Sequence, residues 1–189
     1  MNLTDEESRI MRTASGGFEQ AYNAQAAVDV ETKLIVTAHV TQQSNDKQEL
    51  KPTLALLGEL PATLGTVEDL LADAGYYSEE NVIACDRQKI TPYISTRREK
   101  HNTPLKKQPV PPERPDSKDP VACMKYQLQR TAGKAKYAKR KSTSEPVFGV
   151  IKAAMGYRNF LLRGIEAVSG EWSLLCMAYN LKMMHIMSQ

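Results

Sequence analysis

The chain has 189 residues, of which 41% are hydrophobic and 25% charged, and a formal net charge of +3. This length and composition suit one hydrophobic core, or a core with an appendage, and exclude a wholly disordered tail. No apolar run approaches the roughly 20 residues of a membrane-spanning helix and the start MNLTDEESRI is too acidic for a signal peptide, so we expect a soluble, cytoplasmic protein.

The first predicted elements are two strands. Residues 18–28 (FEQAYNAQAAV) and 33–42 (KLIVTAHVTQ) flank four polar or turn-compatible residues, a pattern typical of antiparallel strands joined by a tight turn. The second run is apolar on both faces, which predicts a strand inside a sheet. His39 in this run is predicted to be structural.

A helix is predicted next, over residues 46–60. Leucines recur at helical spacing, Asp46 is placed to cap the first turn, and Pro52 falls where a first turn tolerates proline. The pattern therefore predicts a helix that packs on the sheet.

The following segment predicts a strand that ends at a carboxylate. Residues 67–72 (VEDLLA) are typical of a short strand that leads to Asp73, Ser78 caps a second helix, and residues 90–95 (ITPYIS) predict a further strand. Alternating strands and helices indicate the α/β class, and we expect the strand before Asp73 to be parallel to a neighbour.

The rest of the chain predicts a loop and then helices. Residues 96–121 hold six of the ten prolines, and helical patterns return over 122–157 and 165–187. We expect three parts: an acidic α/β part (1–96), a Pro-rich basic loop or insertion (97–121) and carboxy-terminal helices (122–189).

Charge differs sharply along the chain. Residues 1–96 carry 7 basic and 15 acidic side chains, whereas residues 97–150 carry 14 basic and 5 acidic ones. Such a basic run is typical either of a solvated loop or of an arm that binds a polyanion. The three cysteines are far apart and lack a CxxC pair, which indicates buried thiols rather than a disulfide framework or a zinc site.

Four stretches carry a family resemblance. They are YNAQAAVD at 22–29, ADAGYYSEENV at 72–82, KYAKRKSTSEPVFGVIKAAMGYRNFLLRG at 136–164 and EWSLLCMAYNLK at 171–182. Together they resemble the carboxy-terminal catalytic part of bacterial insertion-sequence transposases of the DDE superfamily. The resemblance implies an α/β fold with an RNase-H-like mixed sheet flanked by helices, and metal-dependent cleavage and transfer of DNA strands in transposition.

The resemblance also implies site residues. It assigns two of the family's carboxylates to Asp73 and Glu145, which would hold Mg²⁺ or Mn²⁺, with two metals about 4 Å apart in the complete site. It assigns DNA contacts to Tyr137, Arg140 and Lys152. Lys141 is the alternative to Arg140 at that position of the motif. The adjacent basic cluster adds the two further DNA-binding candidates, Lys136 and Lys139.

The spacing of these residues adds one expectation and two structural alternatives. Glu145 and Lys152 are seven residues apart, which predicts one helical face. Taken alone, Asp73 before Ala74-Gly75 also fits a turn-forming carboxylate, and Glu145 fits a first-turn glutamate favoured by the helix dipole.

One of the three carboxylates that the resemblance implies has no counterpart in context. The first Asp belongs on an opening strand, followed by Ser, Gly or Thr, and no such strand precedes residue 18. Asp5 is the best local candidate, with Asp29 and Asp46 as further ones. We therefore interpret the chain as the carboxy-terminal part of a longer transposase, without the first strand and inactive in isolation.

Two functions follow from the sequence. The first is the catalytic part of a DDE transposase, whose partners are transposon ends and target DNA. A homodimer is compatible with this function, and no membrane partner is expected. The second is a non-catalytic DNA-binding or interaction module on a degenerate nuclease fold. The pair Asp73 and Glu145 favours the first function, and the missing opening strand favours the second.

Overall fold

The computed structural model describes residues 4–13, 16–96, 115 and 118–189. The strands are β1 (Arg9–Arg12), β2 (Phe18–Ala21), β3 (Asn23–Val28), β4 (Ile35–Thr41), β5 (Asp69–Ala72) and β6 (Thr91–Ile94). The helices are α1 (Leu50–Gly58), α2 (Glu79–Arg87), α3 (Pro120–Gln129), α4 (Thr131–Ala138), α5 (Ser144–Gly149) and α6 (Ile165–Met187). Most of the predicted loop 96–121 lies outside the described residues.

The predicted α/β class is confirmed. The described strands form three two-stranded sheets, of which β1–β2 and β3–β4 are antiparallel and β5–β6 is parallel. No helix in the described part of the chain is long and apolar enough to cross a bilayer. The chain divides into a first unit, residues 1–59 with 141–189, and a second unit, residues 60–140.

In the first unit, the β3–β4 hairpin confirms the predicted antiparallel pair and its turn. Asn23 pairs with Thr41 and Ala26 with Ala38. The turn is closed by Asp29, whose carboxylate accepts hydrogen bonds from the backbone and the hydroxyl of Thr32, each 2.7 Å long. These bonds fix the turn and thereby the register of the two strands.

The prediction of one strand over 18–28 was wrong. The run divides at Tyr22, and its first part, β2, pairs with β1 instead of β4. Tyr22 lies between the two strands, and its hydroxyl donates a hydrogen bond to the carboxylate of Asp5. The residues 18–21 thus belong to a second hairpin, because β1 supplies a partner that residue patterns did not reveal.

Helix α6 packs on the β3–β4 hairpin and closes the first core. Its buried row is Val168, Trp172, Cys176 and Tyr179. The core cluster combines α6 with β4 and the segment 147–151; its buried members are Ile35, Val147, Ile151, Trp172, Cys176 and Tyr179. Trp172 and Tyr179 lie in this core, whereas Ile186, seven residues after Tyr179, is 53% exposed.

Polar side chains attach α6 to the hairpin backbone. Trp172 donates from Nε1 to the carbonyl of Gln25 at 3.0 Å, and the Tyr179 hydroxyl donates to the carbonyl of Lys33 at 3.1 Å. Asn180 accepts from the backbone N–H of Ile35 at 2.9 Å and donates to its carbonyl at 2.8 Å. The motif EWSLLCMAYNLK therefore serves packing and backbone satisfaction.

The approach to α1 differs from its prediction. A 3₁₀ turn, Asp46–Gln48, precedes the α-helix, and its cap is Asn45, which accepts from the backbone N–H of Lys47. Asp46 instead accepts from Asn23 at 2.9 Å and from Gln25 at 3.1 Å. The prediction of Asp46 as the cap was therefore wrong by one residue: Asn45 caps the turn. The Asp46 carboxylate instead accepts hydrogen bonds from two side chains of β3.

His39 has the structural role that the sequence predicts. Its Nε2 lies 2.9 Å from a carboxylate oxygen of Glu49, which is 3% exposed. A buried carboxylate needs such a partner because an unpaired one would be costly to desolvate.

In the second unit, the parallel pair β5–β6 is connected through α2, with Leu70 opposite Pro92 and Ala72 opposite Ile94. Val82 and Cys85 of α2 are fully buried. Helices α3 and α4 meet at Gly133, where a Cβ atom would lie 1.9 Å from the carbonyl oxygen of Gln127. Only glycine permits this approach.

Candidate active site

Asp73 follows directly after β5, as predicted. The backbone is extended at Asp73, and its Oδ1 accepts the N–H of Gly75 at 2.7 Å, which caps the 3₁₀ turn Ala74–Tyr76. The residue is exposed. The interpretation as a turn-forming carboxylate is therefore correct for Oδ1, and Oδ2 accepts no hydrogen bond from the residues that the structure describes.

Helix α2 stabilises the turn that follows Asp73 through hydrogen bonds. Ser78 caps this helix by accepting from the N–H of Asn81 at 3.1 Å. The Asn81 side chain, 1% exposed, donates to the carbonyl of Tyr76 at 2.8 Å. Sequence reasoning missed Asn81, although an Asn at the third position of a capped helix was visible. These bonds make the turn a rigid platform for Asp73.

Glu145 lies in the first turn of α5, in the first unit. The helix is anchored through Val147, which is 1% exposed, while Glu145 itself is exposed. Within the described ranges its carboxylate makes no hydrogen bond or ion pair. An unpaired, exposed carboxylate of this kind is available for a cation, and the first-turn position also suits the helix dipole.

Lys152 does not lie on a regular continuation of α5. A five-residue π-helix, Val150–Ala154, follows Gly149 and contains Lys152. The regular α-helix on which the predicted shared face of Glu145 and Lys152 depends is therefore interrupted, and a spacing of seven residues no longer implies one face. The Lys152 ammonium lies 6.0 Å from the ring centroid of Phe148.

Asp5 is held by local hydrogen bonds. The Tyr22 hydroxyl lies 2.8 and 3.0 Å from its two carboxylate oxygens, and Oδ1 also accepts from the backbone N–H groups of Glu7 and Ser8. Desolvation raises the pKa of the Asp5 carboxyl, but these hydrogen bonds outweigh it and lower the pKa. The same contact acts on the phenol, since burial and the hydrogen bond to Asp5 raise the pKa of Tyr22 to about 12.

The two further candidates for the first carboxylate are also engaged. Asp29 closes the β3–β4 turn, and its hydrogen bond from the Thr32 backbone lowers the pKa of its carboxyl. Asp46 accepts from Asn23 and Gln25. All three candidate carboxylates therefore have structural partners in the first unit.

The donor chemistry at Asp73 and Glu145 fits Mg²⁺ or Mn²⁺, which prefer carboxylate oxygens. The number of ligands does not suffice, since no group of three or more His, Cys, Asp or Glu side chains in the described part of the chain is arranged to hold a metal ion. Asp73 belongs to the second unit and Glu145 to the first.

The predicted DNA-binding cations lie on and after α4. The Lys136 ammonium pairs with Asp69 at 2.5 Å and lies 5.6 Å from the ring centroid of Tyr93. The hydrogen bond to Asp69 raises the pKa of Lys136. The Arg140 guanidinium lies 5.6 Å from the ring centroid of Tyr137.

Exposure differs among the predicted DNA-binding residues. Lys136, Lys139 and Lys141 are exposed, whereas Tyr137 and Arg140 are half-buried. Trp172 is 3% exposed, which excludes it as a platform for stacked bases.

Comparison with known proteins gives one match. A family described as "Transposase DDE domain" matches residues 5–181. No curated protein and no solved structure matches significantly. The match includes Asp5, Asp73, Glu145 and Lys152, together with the six strands of the described ranges.

Proposed function

This chain belongs to the family of transposase DDE domains, and we propose that it is the carboxy-terminal catalytic part of an insertion-sequence transposase. Its reaction is metal-dependent cleavage of DNA strands at transposon ends and their transfer to target DNA. The observation that supports this proposal most is that a capped turn presents Asp73 directly after a parallel strand pair, with one carboxylate oxygen that no described residue engages.

We assign metal binding to Asp73 and Glu145. Bound divalent ions would activate the attacking oxygen and stabilise the leaving oxygen of a phosphodiester. Asp73 contributes a fixed oxygen, because its turn is held by Gly75 and by α2. Glu145 forms no ion pair with a described residue, so its carboxylate could bind a metal ion without losing such a contact.

Asp5 is the weakest of the proposed catalytic carboxylates. Its two oxygens already accept from Tyr22, and binding a metal would require these bonds to be exchanged. We therefore propose that the 189-residue chain on its own binds metal weakly and does not cleave DNA. A complete two-metal site needs a further carboxylate beyond Asp73 and Glu145.

The proposed DNA contacts divide into two groups. Lys139 and Lys141 are exposed and adjacent to the Arg140–Tyr137 pair, so we assign them to the phosphate backbone. Lys136 can contribute only by sharing its charge with Asp69. Lys152 would hold a phosphate near Glu145.

Metal binding tests the site assignment directly. Titration of the 189-residue chain with Mn²⁺, followed by electron paramagnetic resonance, should give a dissociation constant on the order of millimolar, as expected for few carboxylate ligands. Asp73→Asn and Glu145→Gln should each weaken it at least several-fold. The matched controls are Asp86→Asn on α2 and Glu166→Gln in the first turn of α6, which are exposed and should change nothing. Equal binding in all four variants would refute the assignment.

DNA binding tests the basic segment. Affinity for a duplex should fall with salt, by about 0.9 in the log–log slope for each neutralised phosphate. The double variant Lys139→Glu/Lys141→Glu should lower both affinity and slope, whereas Lys182→Glu on α6 should not. An unchanged slope in the double variant would remove these residues from the DNA interface.

The non-catalytic module remains the second candidate function. It is favoured by the engagement of Asp5, Asp29 and Asp46 in hydrogen bonds and by the absence of a three-ligand group in the described ranges. Nicking of supercoiled DNA in Mg²⁺ or Mn²⁺ distinguishes the cases for this chain. Nicking that Asp73→Asn abolishes would show a complete site; if Asp5→Asn also abolished it, Asp5 would be the third ligand.

A further inference from the structure

The segment between the π-helix and α6 presents two leucines to solvent. It is an irregular connection over residues 156–164 (GYRNFLLRG), which we call the 156–164 loop. Leu161 is 79% exposed, more than any other large hydrophobic residue of the described ranges, and Leu162 is 51% exposed. A single exposed leucine is ordinary, but two adjacent ones in a loop form a small apolar projection whose exposure calls for a reason.

Hydrogen bonds and glycines fix the backbone of this loop. The carboxylate of Glu171 on α6 accepts from the N–H of Leu161 at 2.9 Å and from the N–H of Leu162 at 3.1 Å. Both ends of the loop lie in the left-handed region that favours glycine, with φ +74° at Gly156 and φ +82° at Gly164. The exposure of the two leucines is therefore a property of a loop that is attached to α6.

The charged side chains on this stretch of the chain are all basic. Between Glu145 and Glu166 they are Lys152, Arg158 and Arg163. Both arginines are exposed, and neither guanidinium makes a hydrogen bond or an ion pair with a described residue. Two such arginines on either side of an apolar pair complement a phosphate backbone, because the planar guanidinium binds phosphate oxygens in a bidentate manner.

Ring contacts connect the loop to Lys152. Phe160, the residue before Leu161, meets Trp172 edge-on with ring centroids 6.3 Å apart, and Trp172 stacks on Phe148 at 5.9 Å. The Lys152 ammonium lies 6.0 Å from the centroid of the Phe148 ring. The loop therefore packs in the same aromatic cluster as Lys152, to which the proposed function assigns a DNA phosphate.

We propose that the 156–164 loop contacts duplex DNA in the minor groove. The two leucines form an apolar wedge, and the two arginines bind the flanking phosphates. This inference rests on the proposed DNA substrate and adds a contact beyond those assigned above. Leucine is among the side chains that proteins insert at a base step from the minor groove, and such insertion kinks the duplex by roughly 20–90°. A membrane surface fits less well, because interfacial binding uses an amphipathic helix and this segment is not helical.

The salt dependence of DNA binding tests the arginines. Binding of a fluorescein-labelled duplex to the 189-residue chain is measured by anisotropy at several salt concentrations, in EDTA so that no metal-dependent reaction contributes. Arg158→Ala/Arg163→Ala should weaken binding and lower the log–log salt slope by about 0.9 for each of the two lost phosphate contacts. The matched control is Arg87→Ala, at an exposed site of α2, which should leave the affinity and the slope unchanged.

Bending of the duplex tests the leucines. Energy transfer between dyes at the two ends of the duplex should rise when the wild type binds, because a kink brings the ends together. Leu161→Ala/Leu162→Ala should weaken binding several-fold with an unchanged salt slope, and should abolish the rise in energy transfer even at saturation. The matched control is Leu64→Ala, which removes an exposed leucine outside the loop and should bind and bend the duplex like the wild type.

Circular dichroism melting of each variant separates loss of DNA binding from loss of folding. The proposal is overturned if the leucine variant binds and bends the duplex like the wild type, or if the arginine variant keeps the wild-type slope. It is also overturned if the leucine variant loses binding to vesicles of phosphatidylserine and phosphatidylcholine while its DNA binding is unchanged. A wild type that binds no duplex would refute the proposed DNA substrate as well, whereas binding that is insensitive to both loop variants would refute this inference alone.

Discussion

Asn180 joins the final helix to the hairpin through both polar atoms of one main-chain residue. It accepts from the N–H of Ile35 at 2.9 Å and donates to its carbonyl at 2.8 Å, and Ile35 is 6% exposed. Asn180→Ala removes two hydrogen bonds and leaves two shielded backbone groups without their partner. We expect a loss of about 2–4 kcal/mol in the free energy of unfolding, a large part of the roughly 5–15 kcal/mol typical of a domain.

The single tryptophan provides the assay. Trp172 is 3% exposed and its ring stacks on Phe148 with centroids 5.9 Å apart, so its fluorescence reports on the first core. Urea unfolding should show a lower midpoint for Asn180→Ala. Tyr179→Phe, which removes only the 3.1 Å bond to Lys33, should cost about 1 kcal/mol. Ser173→Ala, at an exposed site of α6, should stay within about 0.5 kcal/mol of wild type.

The order of these effects is the refutable part. A cost below about 0.5 kcal/mol for Asn180→Ala would show that water replaces the amide without penalty. A larger cost for Tyr179→Phe than for Asn180→Ala would show that the hydroxyl, and not the amide, secures the helix.

Three further predictions concern titration and capping. Cys85 and Cys176 are buried and burial raises the pKa of each thiol to about 12, so Ellman's reagent at pH 8 should react quickly with Cys123 at most; rapid labelling of three thiols without urea would contradict the packing. The pKa of Tyr22 is raised from 10.0 to about 12, so the stability that its protonated phenol contributes should be complete below pH 10 and lost as pH rises towards 12. Tyr22→Phe should remove this part of the alkaline decline, and a parallel decline in both proteins would refute it. Asp73→Ala should lower stability by about 1 kcal/mol, whereas Asp73→Asn, which keeps an acceptor for the cap, should lower it less; identical melting temperatures would show that the cap contributes nothing.

Local patterns predicted the second unit well. The strand before Asp73, the Ser78 cap and the parallel partner β6 all follow from short-range signals, and each is confirmed. The same signals could not supply Asn81 as a support for the turn, because its partner, the Tyr76 carbonyl, depends on how the turn packs against α2. Capping residues were visible, but the side chains that brace a turn were not.

The first unit shows where periodicity is insufficient. Residues 18–28 look like one strand, but the run divides at Tyr22, whose hydroxyl donates a hydrogen bond to Asp5, 17 residues earlier, and its first part pairs with β1. The π-helix after Gly149 likewise has no signature in the spacing of residues 145–152, so counting seven residues assumed a regular α-helix that the backbone does not form. Site residues were recognised from motifs, whereas their relative orientation required the backbone.

The first unit is discontinuous in sequence, and this affects the order in which the chain can fold during synthesis. The hairpin leaves the ribosome before residues 60–140, while its cover, α6, follows them. At roughly 5–20 residues per second, the hairpin waits about 7 to 30 s for α6 with an apolar face unprotected. The second unit is continuous and can fold within that interval. The Ile165 N–H that bonds to Glu7 at 2.8 Å joins segments 158 residues apart, so that contact can form only late in translation.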